Sequence, residues 1–473
     1  MSRTRLILSV LSAAILAGCS QAPLYQKPVI AEPSAYKGST SIWQPAQPAD
    51  NQPRGDWWKA YQDATLDELI ARLDGANADL AVAIAHYEQA TAYVSQVKAD
   101  YLPTVSAGSF VTRNRQSQNR ALRNKTQPTV YGDNSLGLIG NYEIDLWGRV
   151  RNQVAAGEAG AAAAAADLQS VHLSLRAQLV NSYLGLRMLD AQSRLLGERM
   201  GDYAKALELT KNRFKGGIDS ALDVSRARVL LETSRARLLD INASRTLYEH
   251  AIATLVGESA SSFAIGPAVT DIQVPAIPVG VPATLLQRRP DISAAERRLA
   301  EANARIGVAR SAFYPTVNLS AAAGYESTYQ AGWLAAPNLF WSIGPNALLT
   351  IFDSGRREAV AAQAEAVFRV AGAQYRSTVL HAFQEVEDNL TLLNELSAEA
   401  QVLHEAVLDT DHTLSIAMNR YREGIASYLD VVTAQAQAQQ VQLDELALRN
   451  RRLQASVNLI RALGGGLQTA GAQ

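Results

Sequence analysis

From Ser135 to Leu146 apolar and polar positions alternate. Leu136, Leu138, Gly140, Tyr142, Ile144 and Leu146 fall on one side, and Ser135, Gly137, Asn141, Glu143 and Asp145 on the other; Ile139 breaks the pattern. Val317, Leu319, Ala321, Ala323 and Tyr325 form a second apolar row, opposite Asn318, Ser320 and Glu326. Leu339, Trp341, Ile343, Ala347, Leu349 and Ile351 form a third, opposite Ser342, Asn346 and Thr350. A period of two over roughly ten residues predicts strands. The same pattern fits a half-buried sheet or a membrane barrel with apolar side chains to lipid and polar ones to the lumen. Thr104 to Arg113 alternates poorly but holds the equivalent place in the chain. Strands are expected at about 104–114, 135–146, 316–328 and 338–352.

Elsewhere the period is helical. Leu66, Leu69, Ile70 and Leu73 follow Trp57 and Trp58 at helical spacing. A helix of roughly 25 residues should end at Pro103, and another at Pro315. No proline occurs between Pro128 and Pro267, or after Pro345. A continuous helix from Arg149 to Lys215 would span about 100 Å at 1.5 Å per residue. Such a rod needs neighbours to cover its apolar stripe, and the smooth run Ala161–Ala166 suits close approach. Leu429, Val432, Ala436, Gln439, Leu443, Leu446, Asn450, Leu453, Val457 and Ile460 alternate three and four apart, a coiled-coil seam.

The chain is duplicated. NRFKGGIDSALDV (212–224) and NRYREGIASYLDV (419–431) agree at eight of thirteen positions. Asn77-Ala78-Asp79-Leu80 corresponds to Arg289-Pro290-Asp291-Ile292, and Tyr101–Val105 to Phe313–Val317. Gly148-Arg149 corresponds to Gly355-Arg356, and Leu255-Val256-Gly257 to Ala462-Leu463-Gly464. Repeat one spans about 57–265 and repeat two about 283–473, with a proline-rich linker at 266–282. In each repeated motif a glycine, Gly217 or Gly424, can end one helix in the left-handed region. A serine, Ser220 or Ser427, can cap the next. The motif therefore predicts the turn of a long antiparallel helical hairpin.

Two strands per repeat give four per chain. Four strands cannot close a barrel, and open edges do not persist in lipid. A dimer would supply eight strands and a trimer twelve.

A net charge of −1 gives no basic excess and argues against nucleic acid as a partner. The chain has one cysteine. Arg3 and Arg5 precede an apolar run from Leu6 to Leu16, followed by Ala17-Gly18-Cys19, a secretory signal with small residues before the cut. That setting resembles the lipobox of bacterial lipoproteins, which implies removal of 1–18 and acylation of Cys19. Ser20, rather than aspartate, after the cysteine favours the outer membrane. Residues 19–56 contain six prolines and read as an extended, lipid-anchored segment. No nucleotide-binding or hydrolase motif is present. His404, Glu405, Asp409, Asp411 and His412 cluster at partly helical spacing, which reads as a solvated helix face rather than a metal site.

LLQRRPDISAAERRLAEANARIGVARSAFYPTVNLSAAAG (285–324), YEIDLWGRVR (142–151), WSIGPNALLTIFDSGRRE (341–358), the two turn motifs and LAGC together resemble the TolC-like outer membrane efflux proteins, of the NodT-type lipoprotein branch. The resemblance covers nearly all of the mature chain. It implies a mainly α fold with a membrane β-barrel portion: a homotrimer with one twelve-stranded barrel, continued by an α-helical barrel in the periplasm. It implies a passive, non-enzymatic efflux duct that needs no cofactor beyond the lipid on Cys19. The partners implied are a periplasmic adaptor, an inner-membrane pump of the RND type and outer membrane lipid. By the same resemblance, Asp223, Asp430 and Tyr421 fall at a periplasmic gate, and Gly217, Gly424, Ser220 and Ser427 at the turns that meet the adaptor. Thr433 stands where many relatives carry a further aspartate. A duct for type I protein secretion, or a lipid-anchored periplasmic coiled coil without a pore, are the alternative readings.

Overall fold

The computed structural model describes residues 20–26, 55–121, 126–277, 288–329 and 331–465. The signal segment 1–18, Cys19, most of the 19–56 segment and part of 266–282 lie outside the described residues. A single 3-10 turn, Trp57–Tyr61, precedes α1 (Ala64–Ala76) and α2 (Ala78–Ala99). Strands β1 (Thr104–Arg115) and β2 (Val130–Glu143) follow, then α3 (Arg149–Lys215) and α4 (Ala221–Leu255). The second repeat gives α5 (Pro290–Ser311), β3 (Thr316–Ser327), β4 (Leu339–Leu348), α6 (Arg356–Arg422) and α7 (Tyr428–Ala462).

The duplication extends to element lengths. Helices α3 and α6 each have 67 residues, α4 and α7 each 35, and α2 and α5 each 22. In the first repeat the leading helix breaks at Asn77. There the backbone is extended, and the Asn77 side chain accepts from the Leu80 N–H (2.8 Å) and donates to the Leu255 carbonyl (2.7 Å). In the second repeat Arg289 takes that place and donates to the Ala462 carbonyl (3.1 Å). A different side chain thus satisfies the same orphan carbonyl at the same helix end.

The sheet is antiparallel in the order β1-β2-β3-β4, so β2 and β3 join the two repeats. Strand β2 starts at Val130, earlier than its alternation, because residues 130–134, which do not alternate, pair with residues 111–115 of β1. The alternating row of β4 runs on to Ile351, but pairing ends at Leu348. The outer strands β1 and β4 each have one unpaired edge within the chain. Trp341, Ile343 and Leu348 of β4 and Val105 and Val111 of β1 are exposed. No described helix is long and apolar enough to cross a membrane.

The described chain falls into two compact units. One holds residues 86–121, 126–165, 294–329 and 331–376 with 20–26; the other holds 55–85, 166–277, 288–293 and 377–465. The second has the larger core. Leu66, Leu69, Ile70 and Leu73 of α1 pack with Trp57, Trp58 and Tyr61, with Leu179, Val180, Tyr183 and Leu184 of α3, with Ile252 of α4 and with Val457 and Ile460 of α7. The end of the first repeat and the inter-repeat segment are part of this core, because Phe263 and Ile265 of the one and Ile272 of the other are buried in it.

A buried ionic cluster also holds that segment. The Asp190 carboxylate accepts from Arg187 (3.0 Å), Arg245 (2.6 Å) and the Ala268 N–H (3.1 Å). Arg187 also donates to the Gly266 carbonyl (2.9 Å) and Glu249 accepts from the Ile265 N–H (2.6 Å). At the matching places the second repeat has Asn394, Ser397 and Ser456 for Arg187, Asp190 and Glu249, so the cluster exists in one copy only.

The predicted seam of α7 is buried from Gln439 onward, except Leu446. Nearer the turn the buried stripe is Tyr428, Val431, Ala434 and Gln435, and Leu429 and Ala436 are exposed. The face changes because Tyr203 of α3 donates to the Gln439 amide oxygen (2.9 Å) and Ser234 of α4 donates to the same atom (3.0 Å). This polar contact replaces an apolar layer of the seam.

Two glycines with the same backbone test the packing at opposite hairpin ends. Gly217 and Gly257 both have φ +74. A Cβ on Gly217 meets nothing within 4 Å, whereas one on Gly257 would lie 2.2 Å from the Ala76 carbonyl oxygen. Gly217→Ala should cost about 1–2 kcal/mol, the left-handed penalty alone. Gly257→Ala should cost about 2–4 kcal/mol, since the clash is with backbone. Denaturant unfolding of the two variants side by side gives the difference.

Candidate functional site

The two repeated motifs form two turns with the same hydrogen bonds. Helix α3 ends with Ile218 N–H donating to the Arg213 carbonyl (2.9 Å) and Gly217 N–H to the Phe214 carbonyl (3.0 Å). Helix α6 ends with Ile425 N–H donating to Arg420 (2.8 Å) and Gly424 N–H to Tyr421 (3.0 Å). Both are Schellman ends, and Gly424 has φ +79.

Ser220 and Ser427 are the N-caps of α4 and α7. Asp223 and Asp430 are the third residues of those helices and reach back to the caps. Asp223 accepts from the Ser220 N–H (3.2 Å) and hydroxyl (2.6 Å). Asp430 accepts from the Ser427 N–H (3.0 Å) and hydroxyl (2.9 Å). These are capping boxes, with aspartate in the reciprocal position. Asp223 also lies 3.3 Å from Arg226. The Ser220 hydroxyl holds the Asp223 carboxyl below its usual value. A depressed folded value means that this contribution is complete at neutral pH and is lost as pH falls through the folded pKa. Hydrogen exchange in the first turn of α4 should therefore speed up in acid beyond the ordinary change with pH.

Tyr421 is placed differently. It is 1% exposed and sits in an apolar cluster with Ala206, Leu207, Ala227, Tyr428 and Val431. Its hydroxyl donates to the Asp219 carboxylate and lies 3.2 Å from the Thr210 hydroxyl. The Arg213 guanidinium lies over its ring, 4.5 Å from the centroid. Arg213 also donates to the Asp219 carboxylate (3.1 Å) and to the Tyr421 carbonyl (3.1 Å). Tyr428 meets the ring edge to face at 5.4 Å. Burial pushes the Tyr421 phenol up to about 12, so it remains a neutral donor at physiological pH.

Tyr421 thus ties the end of α6 to the turn after α3, and its partner is Asp219, not Asp223. Nothing in the repeated motif marks out Asp219 or Arg213. The missing signal lies in how the two motifs differ. Tyr421 corresponds to Phe214, Asp219 to Ala426 and Tyr428 to Ala221. Each copy supplies one half of the contact, so it can form only once per chain.

The histidine and carboxylate group on α6 is dispersed among other helices' partners. His404 pairs with Glu445 (3.0 Å), and Asp411 accepts from Arg199 (3.2 Å) and Gln442 (2.8 Å). Among the described residues no group of three or more His, Cys, Asp or Glu is arranged to hold a metal.

The model of the family described as outer membrane efflux protein matches this chain twice, over residues 69–258 and 281–465. The chain is 31% identical to the toluene efflux pump outer membrane protein TtgF of Pseudomonas putida, over 98% of each chain. It is 30% identical to the pyoverdine export outer membrane protein OpmQ of Pseudomonas aeruginosa, over 98% of this chain and 97% of that one. Among solved structures, the outer-membrane channel OprN superposes with a TM-score of 0.86 at 29% identity, covering 95% of this chain and 99% of that one.

Proposed function

The chain belongs to the outer membrane efflux protein family, and on that premise we propose that three copies form the outer membrane duct of a tripartite efflux system. The observation that carries this reading is the four-stranded sheet with its outer strands unpaired and their apolar side chains exposed. Lipid tolerates neither open edges nor a four-stranded barrel. Three chains close twelve strands, and the paired long helices continue the tube into the periplasm. The trimer receives its cargo from a periplasmic adaptor and an inner-membrane pump of the RND type. Cys19 carries the lipid anchor. The duct is passive and carries out no catalytic step. Relatives named for toluene efflux and for pyoverdine export match it almost equally, so cargo is set at the pump in this reading.

The closed end is the ring of helix turns, six in a trimer. Gly217 and Gly424 present the turns to the adaptor, and Ser220 and Ser427 hold their shape. Tyr421 and Asp219 latch the two hairpins of one chain together. Asp223 and Asp430 add negative charge at the narrowing, which favours cations over anions. Charge and cap can be separated. Asparagine keeps an acceptor for the cap N–H but removes the charge. Asp223→Asn with Asp430→Asn should lower cation selectivity, read as the reversal potential across a salt gradient. Asp223→Ala with Asp430→Ala should in addition lose about 1 kcal/mol per cap.

Export itself is tested in cells. Deleting the gene should raise the accumulation of a dye exported by the cognate pump, and a plasmid copy should restore efflux. Unchanged accumulation after deletion, with no other duct present, overturns the proposal.

A further inference from the structure

Residues 20–25 are seated in a groove built for them. The Ser20 hydroxyl donates to the Asn152 side-chain oxygen (3.0 Å). Asn303 of α5 donates to the Pro23 carbonyl (2.9 Å). Tyr25 packs against a buried cluster of Leu299, Ala302 and Ala371. The groove is open only because two positions lack a side chain. A Cβ on Gly307 would lie 2.8 Å from the Ala22 Cβ and 2.5 Å from the Asn152 amide nitrogen. A Cβ on Gly148 would lie 3.2 Å from the Ser20 Cα. Asn152 and Asn303 are each 6% exposed, a degree of burial that polar side chains tolerate only with partners. The Asn152 amide nitrogen has none among the described residues.

The duplication supplies an internal control. At the matching places the other copy has Thr91 for Asn303, Ser95 for Gly307 and Ala359 for Asn152. Only one of the two equivalent helix faces can take the segment. That face adjoins the sheet, because Gly148 and Asn152 follow directly on β2.

We propose that residues 20–25 are a docking strap, and that Asn152, Asn303 and Gly307 are its seat, fixing the lipid-bearing Cys19 at the foot of the strands. A cysteine one residue from Ser20 is at most about 3.8 Å from it, Cα to Cα. Its acyl chains then enter the leaflet beside the strand ends of the same chain, and the lipid restrains the barrel foot as well as tethering the protein. The strap deepens the lipid-anchor reading and rests on it.

The test uses full-length protein in native membranes. Cys19 is the only cysteine, so when it is acylated a cysteine placed at Ala22 is the only free thiol. Ala22→Cys should react with a maleimide about tenfold more slowly than Leu24→Cys, the protection that a seated segment gains from needing a local opening. Adding Gly307→Leu should bring its rate up to that of Leu24→Cys, with trimer yield and channel conductance unchanged. If Gly307→Leu does not assemble, Asn303→Ala, which removes only the Pro23 contact, should still raise the rate. Equal rates for Ala22→Cys and Leu24→Cys in the otherwise native chain, or no response to either seat variant, overturn the strap. The mass of the N-terminal peptide reports acylation separately, so failure of the anchor and failure of the seat are distinguishable.

Discussion

Tyr421→Phe combined with Asp219→Asn should make the outer membrane permeable to large polar antibiotics that it normally excludes. The pair removes one hydroxyl and one charge and leaves the ring packing in place. Phenylalanine suits this turn, because Phe214 holds the same position in the other copy. A hydrogen bond to a charged group contributes about 1.5–3 kcal/mol. Losing it should raise the open fraction of each hairpin end about 10- to 100-fold, at 1.4 kcal/mol per factor of ten. Three latches per trimer act on one opening, so the effect on uptake should be steep. The measure is the inhibitory concentration of the antibiotic in cells carrying wild-type or variant channel at equal trimer levels. A variant that leaves it unchanged removes the latch from the account.

The second large effect is on folding. Asp190→Ala should cost about 3–5 kcal/mol, the range for removing one partner of a buried ion pair. The reason is specific. Asp190 accepts from Arg187, Arg245 and the Ala268 N–H, and its side chain is 2% exposed. Its loss leaves the buried Arg187 without a carboxylate, leaves Arg245 with Glu249 alone, and frees the Ala268 N–H of the segment that joins the repeats. Asp190→Asn should cost less, because one acceptor remains. Guanidinium unfolding followed by circular dichroism, with trimer yield on gels, gives both numbers. Wild-type stability in Asp190→Ala would mean that the chain between α4 and the second repeat is held by its buried apolar residues Phe263, Ile265 and Ile272 alone.

Much of the fold could be read in the sequence, because a duplicated chain checks itself. The shared Gly-Ile-x-Ser-x-Leu-Asp core of 217–223 and 424–430 marks turn geometry that both copies need, and identity exposes it. The latch could not be found in that way. Its residues, Tyr421, Tyr428 and Asp219, lie where the two motifs differ, and identity alone passes over them. The same holds for Asp190 and for Gly307, each present in one copy. Asp223 and Asp430 illustrate the opposite difficulty. Both are identical between copies, and each closes a capping box, which is reason enough for a carboxylate at that position. Their proposed role at the opening is carried by charge, beyond what the cap needs.

Periodicity had its own limits. The seam of α7 follows the heptad only where its partners are apolar, and it turns aside where Gln439 meets Tyr203 and Ser234. Strand β2 begins five residues before its alternation because backbone pairing with β1 does not depend on side-chain pattern. The helix before β1 breaks at Asn77 because that side chain bonds to Leu255, 178 residues away, a contact that no local pattern records.

The proposed duct is a trimeric pore that rests closed at its helix turns. The most direct measurement is single-channel conductance of the purified, lipidated protein in a planar bilayer. The wild-type trimer should give discrete steps of low conductance, and much larger steps should follow Tyr421→Phe with Asp219→Asn. A bilayer that shows no steps with either protein, although both are trimeric and inserted, would contradict it and leave a lipid-anchored coiled coil without a pore.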